Sequence, residues 1–98
     1  MNIPTVTVVA KVVAKRECLE TVKTELLKLV APTRNEKGCL EYTLHQDNQD
    51  QAVFIFYEKW ESGACLARHM ESAHFISYLS AVEDMIKDKA VHTMTRIE

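Results

Sequence analysis

The sequence predicts an α+β fold with the element order β-α-β-β-α-β. Three observations carry this reading. Segments dense in β-branched and aromatic residues stand at 5–14, 39–46 and 52–60, with a further strand-like segment at 90–97. Between the first and second, and again between the third and fourth, apolar residues recur at helical spacing. The second and third are separated only by the polar run DNQDQ, which reads as a turn. This is the ferredoxin-like split arrangement, an antiparallel sheet with its helices on one face.

The elements follow in order. The first strand is TVTVVAKVVA (5–14). In ECLETVKTELLKLVA (17–31), Leu19, Val22, Leu26, Leu29 and Val30 make one apolar face, and lysines and glutamates fill the other. Glu17 and Glu20 lie at its start and Lys28 near its end, as the helix dipole favours. Pro32 is expected to end or kink this helix, and Gly38 to supply a left-handed stop. CLEYTLHQ (39–46) and AVFIFYEKW (52–60) are the second and third strands. Ser62 can cap a short helix running to about Glu71. A second helical piece begins near Ser72, with Phe75, Ile76, Leu79, Val82 and Ile86 on one face, and AVHTMTRI (90–97) closes the chain as a strand.

Side chains alternate between the faces of a strand. On the third strand Val53, Ile55 and Tyr57 oppose Phe54, Phe56, Glu58 and Trp60; on the first, Val6, Val8, Ala10 and Val12 oppose Val9 and Val13. Both faces are apolar, yet the helices cover only one. The second face therefore calls for a cover, and an identical subunit packed sheet against sheet is the simplest.

Composition bounds the function. The 98 residues make one domain, 1–98, with a modest core. A net charge of −2 without long runs of like charge argues against a nucleic-acid or membrane surface as the main partner. The N-terminal stretch is interrupted by Lys11 and Lys15 and reads as neither a signal peptide nor a spanning helix. Cys18, Cys39 and Cys65 form no CxxC pair, which fits reduced thiols in a cytoplasm, with Cys39 and Cys65 acting as small apolar residues.

Several residues hold candidate chemistry. Trp60 and Glu58 share a strand face with Phe54 and Phe56. They read either as plain core, with Glu58 paired to a basic group, or as a flat apolar wall for an aromatic ligand. A carboxylate there is poorly solvated and needs a cation or donor, for which Arg34 and His69 are the candidates. His69 is either a helix histidine at the surface or a base. His69 and His74 are five residues apart, which on a continuous helix places them about 140° from each other, unsuited to one metal; a break near Ser72 would change that. His74 otherwise braces a helix start, and His45 and His92 read as surface or interface residues. Tyr42 and Tyr78 read first as packed rings. Arg34 and Glu36 read first as a local ion pair or loop brace.

The runs PTRNEKGCLEY (32–42) and FYEKWES (56–62), followed by His69, His74 and Phe75, resemble the antibiotic biosynthesis monooxygenase (ABM) domain family, and within it the small bacterial quinol-monooxygenase-like proteins. The resemblance runs from Val6 to Ile97. It implies a ferredoxin-like homodimer whose two sheets form an α+β barrel, with a pocket between sheet and helices in each subunit. Members of the family include cofactor-free oxygenases of quinols and polycyclic phenols, haem-degrading enzymes, and an enzyme of a phosphorylated signalling sugar. Fold alone does not choose among them. The haem-degrading branch carries an asparagine on its first strand. TVTVVAKVVA has none, and Asn2 precedes it, which counts against haem degradation.

The leading expectation is an oxygenase without metal, flavin or other cofactor, acting on a quinol or other electron-rich aromatic with O2. His69 is cast as base, Trp60 with Phe54, Phe56 and Phe75 as the slot, and Glu58 as orienter of the histidine or of a substrate hydroxyl. Arg34 and Tyr42 join the substrate-binding set. The alternatives are a sugar-phosphate isomerase drawing on Lys11, Arg34, Lys59 and Arg68, and a non-catalytic dimeric binding module.

Overall fold

The computed structural model describes residues 4–98, so Asn2 lies outside the described residues. The elements are β1 (Val6–Ala14), a 3-10 turn (Arg16–Cys18), α1 (Leu19–Arg34), β2 (Cys39–Gln46), β3 (Val53–Trp60), α2 (Gly63–Met70), α3 (Ala73–Ala81) and β4 (Ile86–Met94). The four strands are antiparallel, in the order β2-β3-β1-β4. This is the expected ferredoxin-like sheet, with the second helical region in two pieces.

Register decides which residues face the helices. Val8 pairs with Glu58, Ala10 with Phe56 and Val12 with Phe54, and Tyr42 lies across from Glu58 on the other side of β3. Along β3 the even-numbered residues Phe54, Phe56, Glu58 and Trp60 are buried, and the odd-numbered ones are half-buried. From α1, Val22, Leu26 and Leu29 enter this core at the predicted helical spacing. The opposite sheet face carries Val9, Val13, Val53, Ile55 and Tyr57, half-buried by their neighbours alone.

Several details differ from expectation. The helix α1 runs through Pro32 to Arg34. Proline in the last turn forfeits only one backbone hydrogen bond, and the chain is released beyond it by hydrogen bonds from Asn35 N–H to Pro32 O and Glu36 N–H to Thr33 O. Gly38 has a φ of +87°, as expected of a left-handed residue, but it turns the chain into β2 rather than ending the helix directly. On α3 the apolar face is rotated from the predicted one. Tyr78 and Val82 are buried with Phe75 beside them, and Ile76 and Leu79 are exposed. Ile86 is not helical at all: β4 begins there, four residues before the predicted start, and stops at Met94. The charged run Lys87–Lys89 lacks strand character, and pairing with Val12 and Val13 overrides that weak preference.

Candidate functional site

The site is assembled from the loop after α1, the end of β3 and the joint between α2 and α3. Ser62 caps α2, accepting a hydrogen bond from Cys65 N–H at 3.3 Å, as its position predicts. Ser72 makes the joint. Its hydroxyl donates to His69 O at 2.7 Å and accepts from Phe75 N–H at 3.3 Å, bracing the end of α2 against the start of α3. The break that this creates swings the two histidines together, in place of the 140° separation expected of a continuous helix.

Both histidines meet one carboxylate oxygen. His69 Nδ1 and His74 Nε2 each lie 2.7 Å from Glu36 Oε2. Glu36 is held for this from both sides, since its N–H reaches Thr33 O at 3.0 Å and its carbonyl accepts Cys39 N–H at 3.2 Å. The sequence reading gave Glu36 a loop-brace role. What it missed is that a carboxylate two residues before Gly38 returns toward the sheet. The signal available was the His69–Ser72–His74 spacing, with a helix-capping serine between two histidines.

His69 is sheathed in rings. Its centroid lies 4.8 Å from Trp60, 5.0 Å from Phe75 and 5.6 Å from Tyr42, and Tyr42 stacks on Phe56 at 4.6 Å. His69 is 2% exposed and Trp60 is wholly buried. Burial holds the His69 pKa below its ordinary value, outweighing the nearby Glu36 carboxylate, which pushes the other way. At neutral pH the ring is therefore uncharged. A neutral imidazole that gives Nδ1–H to Glu36 keeps its lone pair on Nε2.

Glu58 lies on the same strand face but does a different task. Its Oε1 accepts the Trp60 indole N–H at 2.9 Å. Neither Arg34 nor His69 is its hydrogen-bond partner; Arg34 donates instead to Tyr42 O at 3.0 Å, tying α1 to β2. The orienting carboxylate on His69 is Glu36, not Glu58. Burial raises the Glu58 pKa to about 7, with the Trp60 hydrogen bond opposing that rise and Glu36 adding to it. Burial likewise raises the Tyr42 hydroxyl far above its ordinary range and the Tyr78 hydroxyl to about 12, so both rings are neutral.

Space lies next to this cluster rather than inside it. A cleft of about 740 Å³ runs between α3 and the β1–β4 edge, with an apolar floor of Val12, Tyr78, Val82 and Ile86 and with Lys87 and Lys89 on its rim. Phe75 links the two regions, with its ring between His69 and Tyr78, 5.9 Å from the latter. Phe54 lies further along β3, paired with Val12 of the cleft floor. The basic residues considered for a phosphate do not converge. Lys11 and Lys59 are on the opposite sheet face by register, Arg34 is bound to β2, and Arg68 points its guanidinium at Cys65 Sγ, 3.3 Å away.

The fold is thus that of a small α+β protein with a ferredoxin-like sheet, in which a buried histidine in an aromatic box meets a partly exposed glutamate. Residues 5–80 match the family described as antibiotic biosynthesis monooxygenase, and the chain belongs to that family. The solved structure of PA3566 from Pseudomonas aeruginosa is similar with a TM-score of 0.93 and 34% identity, covering 97% of this chain and 96% of that one. The Bacillus subtilis protein named "Putative monooxygenase YcnE" is 29% identical over 77 residues, 79% of this chain and 81% of its own. Uncharacterized protein sll1783 of Synechocystis is 28% identical over 61 residues, 62% of this chain; the match spans 42% of that longer relative. Among the described residues no helix is long and apolar enough to cross a membrane.

Proposed function

We propose that this chain is a monooxygenase of a hydroquinone or similar electron-rich phenol, with O2 as co-substrate and the substrate itself as the source of electrons. The observation that carries the reading is the 2.7 Å contact between Glu36 Oε2 and His69 Nδ1 inside an aromatic box. It fixes the tautomer that leaves Nε2 as a base, in surroundings that exclude water and suit a flat ring. His69 removes a phenolic proton. The resulting anion gives one electron to O2, and the semiquinone and superoxide combine at a ring carbon as a hydroperoxide. Loss of water across that C–H and O–O pair leaves a ring carbonyl. The balance is hydroquinone plus O2 to hydroxyquinone plus water: the proton taken by His69 is returned to the peroxide anion as the hydroperoxide forms, and the C–H proton leaves with the hydroxide of the broken O–O bond as that water.

The substrate ring enters from the cleft beside Tyr78 and displaces Phe75 to reach His69. Trp60 and Phe56 are the wall behind it, and Glu58 holds the indole in place through its Oε1. Two such chains pack through the face of Val9, Val13, Ile55 and Tyr57 to give the working homodimer. The dispersal of Lys11, Lys59, Arg34 and Arg68 favours this reading over a sugar-phosphate isomerase, which needs two or more cations at one pocket.

The test is enzyme-dependent O2 uptake above autoxidation with a panel of reduced naphthoquinones. His69→Ala is expected to lower kcat by about 100-fold or more. Uptake no greater than autoxidation for every quinol, or an unchanged rate in His69→Ala, overturns the assignment.

A further inference from the structure

The convergence of His74 on the same carboxylate oxygen is not used by the oxygenase chemistry. His69 Nδ1, His74 Nε2 and Glu36 Oε2 all lie within 4.8 Å of one another. We propose that these three atoms form a binding site for a divalent transition ion.

The donor set selects the class of ion. Two imidazole nitrogens and one carboxylate suit zinc, cobalt, nickel or ferrous ions rather than magnesium or calcium, which prefer all-oxygen cages. Around a tetrahedral ion with bonds of about 2.0–2.1 Å, the ligand atoms stand about 3.3 Å apart. Each nitrogen is now 2.7 Å from Glu36 Oε2, so the carboxylate draws back by about half an ångström while the rings close on the ion. Side-chain torsions supply movements of that size. Three protein ligands leave a coordination position free. An entry path exists on the His74 side, where the His74 and Glu36 side chains are 24% and 15% exposed against 2% for His69. The ligands are also well supported: the ring cluster fixes His69, and backbone hydrogen bonds pin Glu36.

Coordination changes where the protons sit. His69 now reaches Glu36 through its Nδ1, and an ion takes the lone pair at that same nitrogen. The proton of that ring then sits on its other nitrogen. In His69 this places a hydrogen on Nε2, the position at which the oxygenase reading requires a lone pair. Ion and base exclude each other at this residue. Ion binding is read without turnover, so it stands or falls independently of that reading.

The full chain, stripped with a chelator, is titrated with cobalt(II) and then with zinc(II). One cobalt per chain is expected, with the visible absorption of a four- or five-coordinate ion and without the near-ultraviolet band of a cobalt thiolate. Zinc is expected to displace it and to raise the melting temperature. His74→Ala and Glu36→Gln should each weaken binding at least tenfold, whereas His45→Ala and His92→Ala should not. Absence of saturable binding at millimolar ion, undiminished binding in His74→Ala, or a thiolate band overturns the assignment. Since Glu36→Gln can disturb the fold, the unaltered protein gives a second readout. Anomalous diffraction from zinc-soaked crystals should place the ion between Glu36, His69 and His74, and an ion bound only elsewhere overturns the site.

Discussion

Two carboxylates separated by a few side chains carry opposite assignments. Glu36 is partly exposed and lies 2.7 Å from a nitrogen of each of two imidazoles. Glu58 is 4% exposed, and its pKa is raised to about 7. A carboxyl whose folded pKa lies above its unfolded value contributes stability below about pH 4.5 that is lost as pH rises through about 7. Between the ordinary value of 4.5 and about 7, at about 1.4 kcal/mol per pH unit, that loss is about 3 kcal/mol. Glu58→Gln keeps an acceptor for the Trp60 indole and cannot ionise. Melting curves from about pH 4.5 to 8 should therefore show the variant close to the parent at the acid end and clearly more stable at the alkaline end. His69 slopes the other way: its lowered pKa contributes stability present above its unfolded value of 6.5 and lost as pH falls through its folded value. That part should persist in Glu58→Gln. For Glu36→Gln the expected outcome is kinetic. The amide can present its NH2 to Nδ1 and favour the wrong tautomer, so kcat for quinol oxidation should fall by roughly 10–100-fold with KM little changed.

Among the elements, the loop from α1 into β2 has the least room. A Cβ added to Gly38 would lie 2.3 Å from Cys65 Sγ and 2.8 Å from Cys65 Cβ, and its φ of +87° is itself costly for any other residue. Gly38→Ala should destabilise the fold by about 2–4 kcal/mol, measured by denaturant unfolding. Cys65→Ala in the same chain should recover part of that loss, because it removes the nearer of the two contacts. Elements of this kind were unevenly legible in the sequence. The strands β1, β2 and β3, the inward phase of Phe54, Phe56, Glu58 and Trp60, the Ser62 cap and the helix start near Ser72 all follow from local periodicity and side-chain chemistry. The early start of β4 does not, because Lys87–Lys89 becomes strand only by pairing with β1. The rotation of α3 escaped because Phe75, Ile76, Leu79 and Val82 also share a helical face by spacing, and only packing turns Tyr78 inward in place of Ile76 and Leu79. His69 could be singled out from sequence, but its carboxylate could not. Glu36 is 33 residues away and reaches it only through the turn at Gly38.

At the level of the whole molecule, the sheet shows two unequal faces. One is closed by the three helices. The other presents Val9, Val13, Ile55 and Tyr57 in adjacent strands, flanked by His45 and His92. Sedimentation at micromolar concentration should give twice the chain mass of 11.2 kDa. Ile55→Lys should shift the equilibrium to the monomer while leaving the helix-covered core folded, since the new ammonium would have to be buried unpaired between sheets. A monomeric mass for the parent chain removes the dimer from the proposed function.

The joint at Ser72 is where local opening is expected first. The helices α2 and α3 are eight and nine residues long, too short to persist by themselves, and one hydroxyl spans the seam between them. Amide hydrogens at 72–75 should consequently exchange with solvent sooner than those of β1 or β3, through openings that do not unfold the sheet. The same opening would carry Phe75 away from His69, 5.0 Å off in the closed state. A ring bound in its place would close the seam, and the slowing of exchange at the Phe75 amide would record occupancy without any reaction taking place.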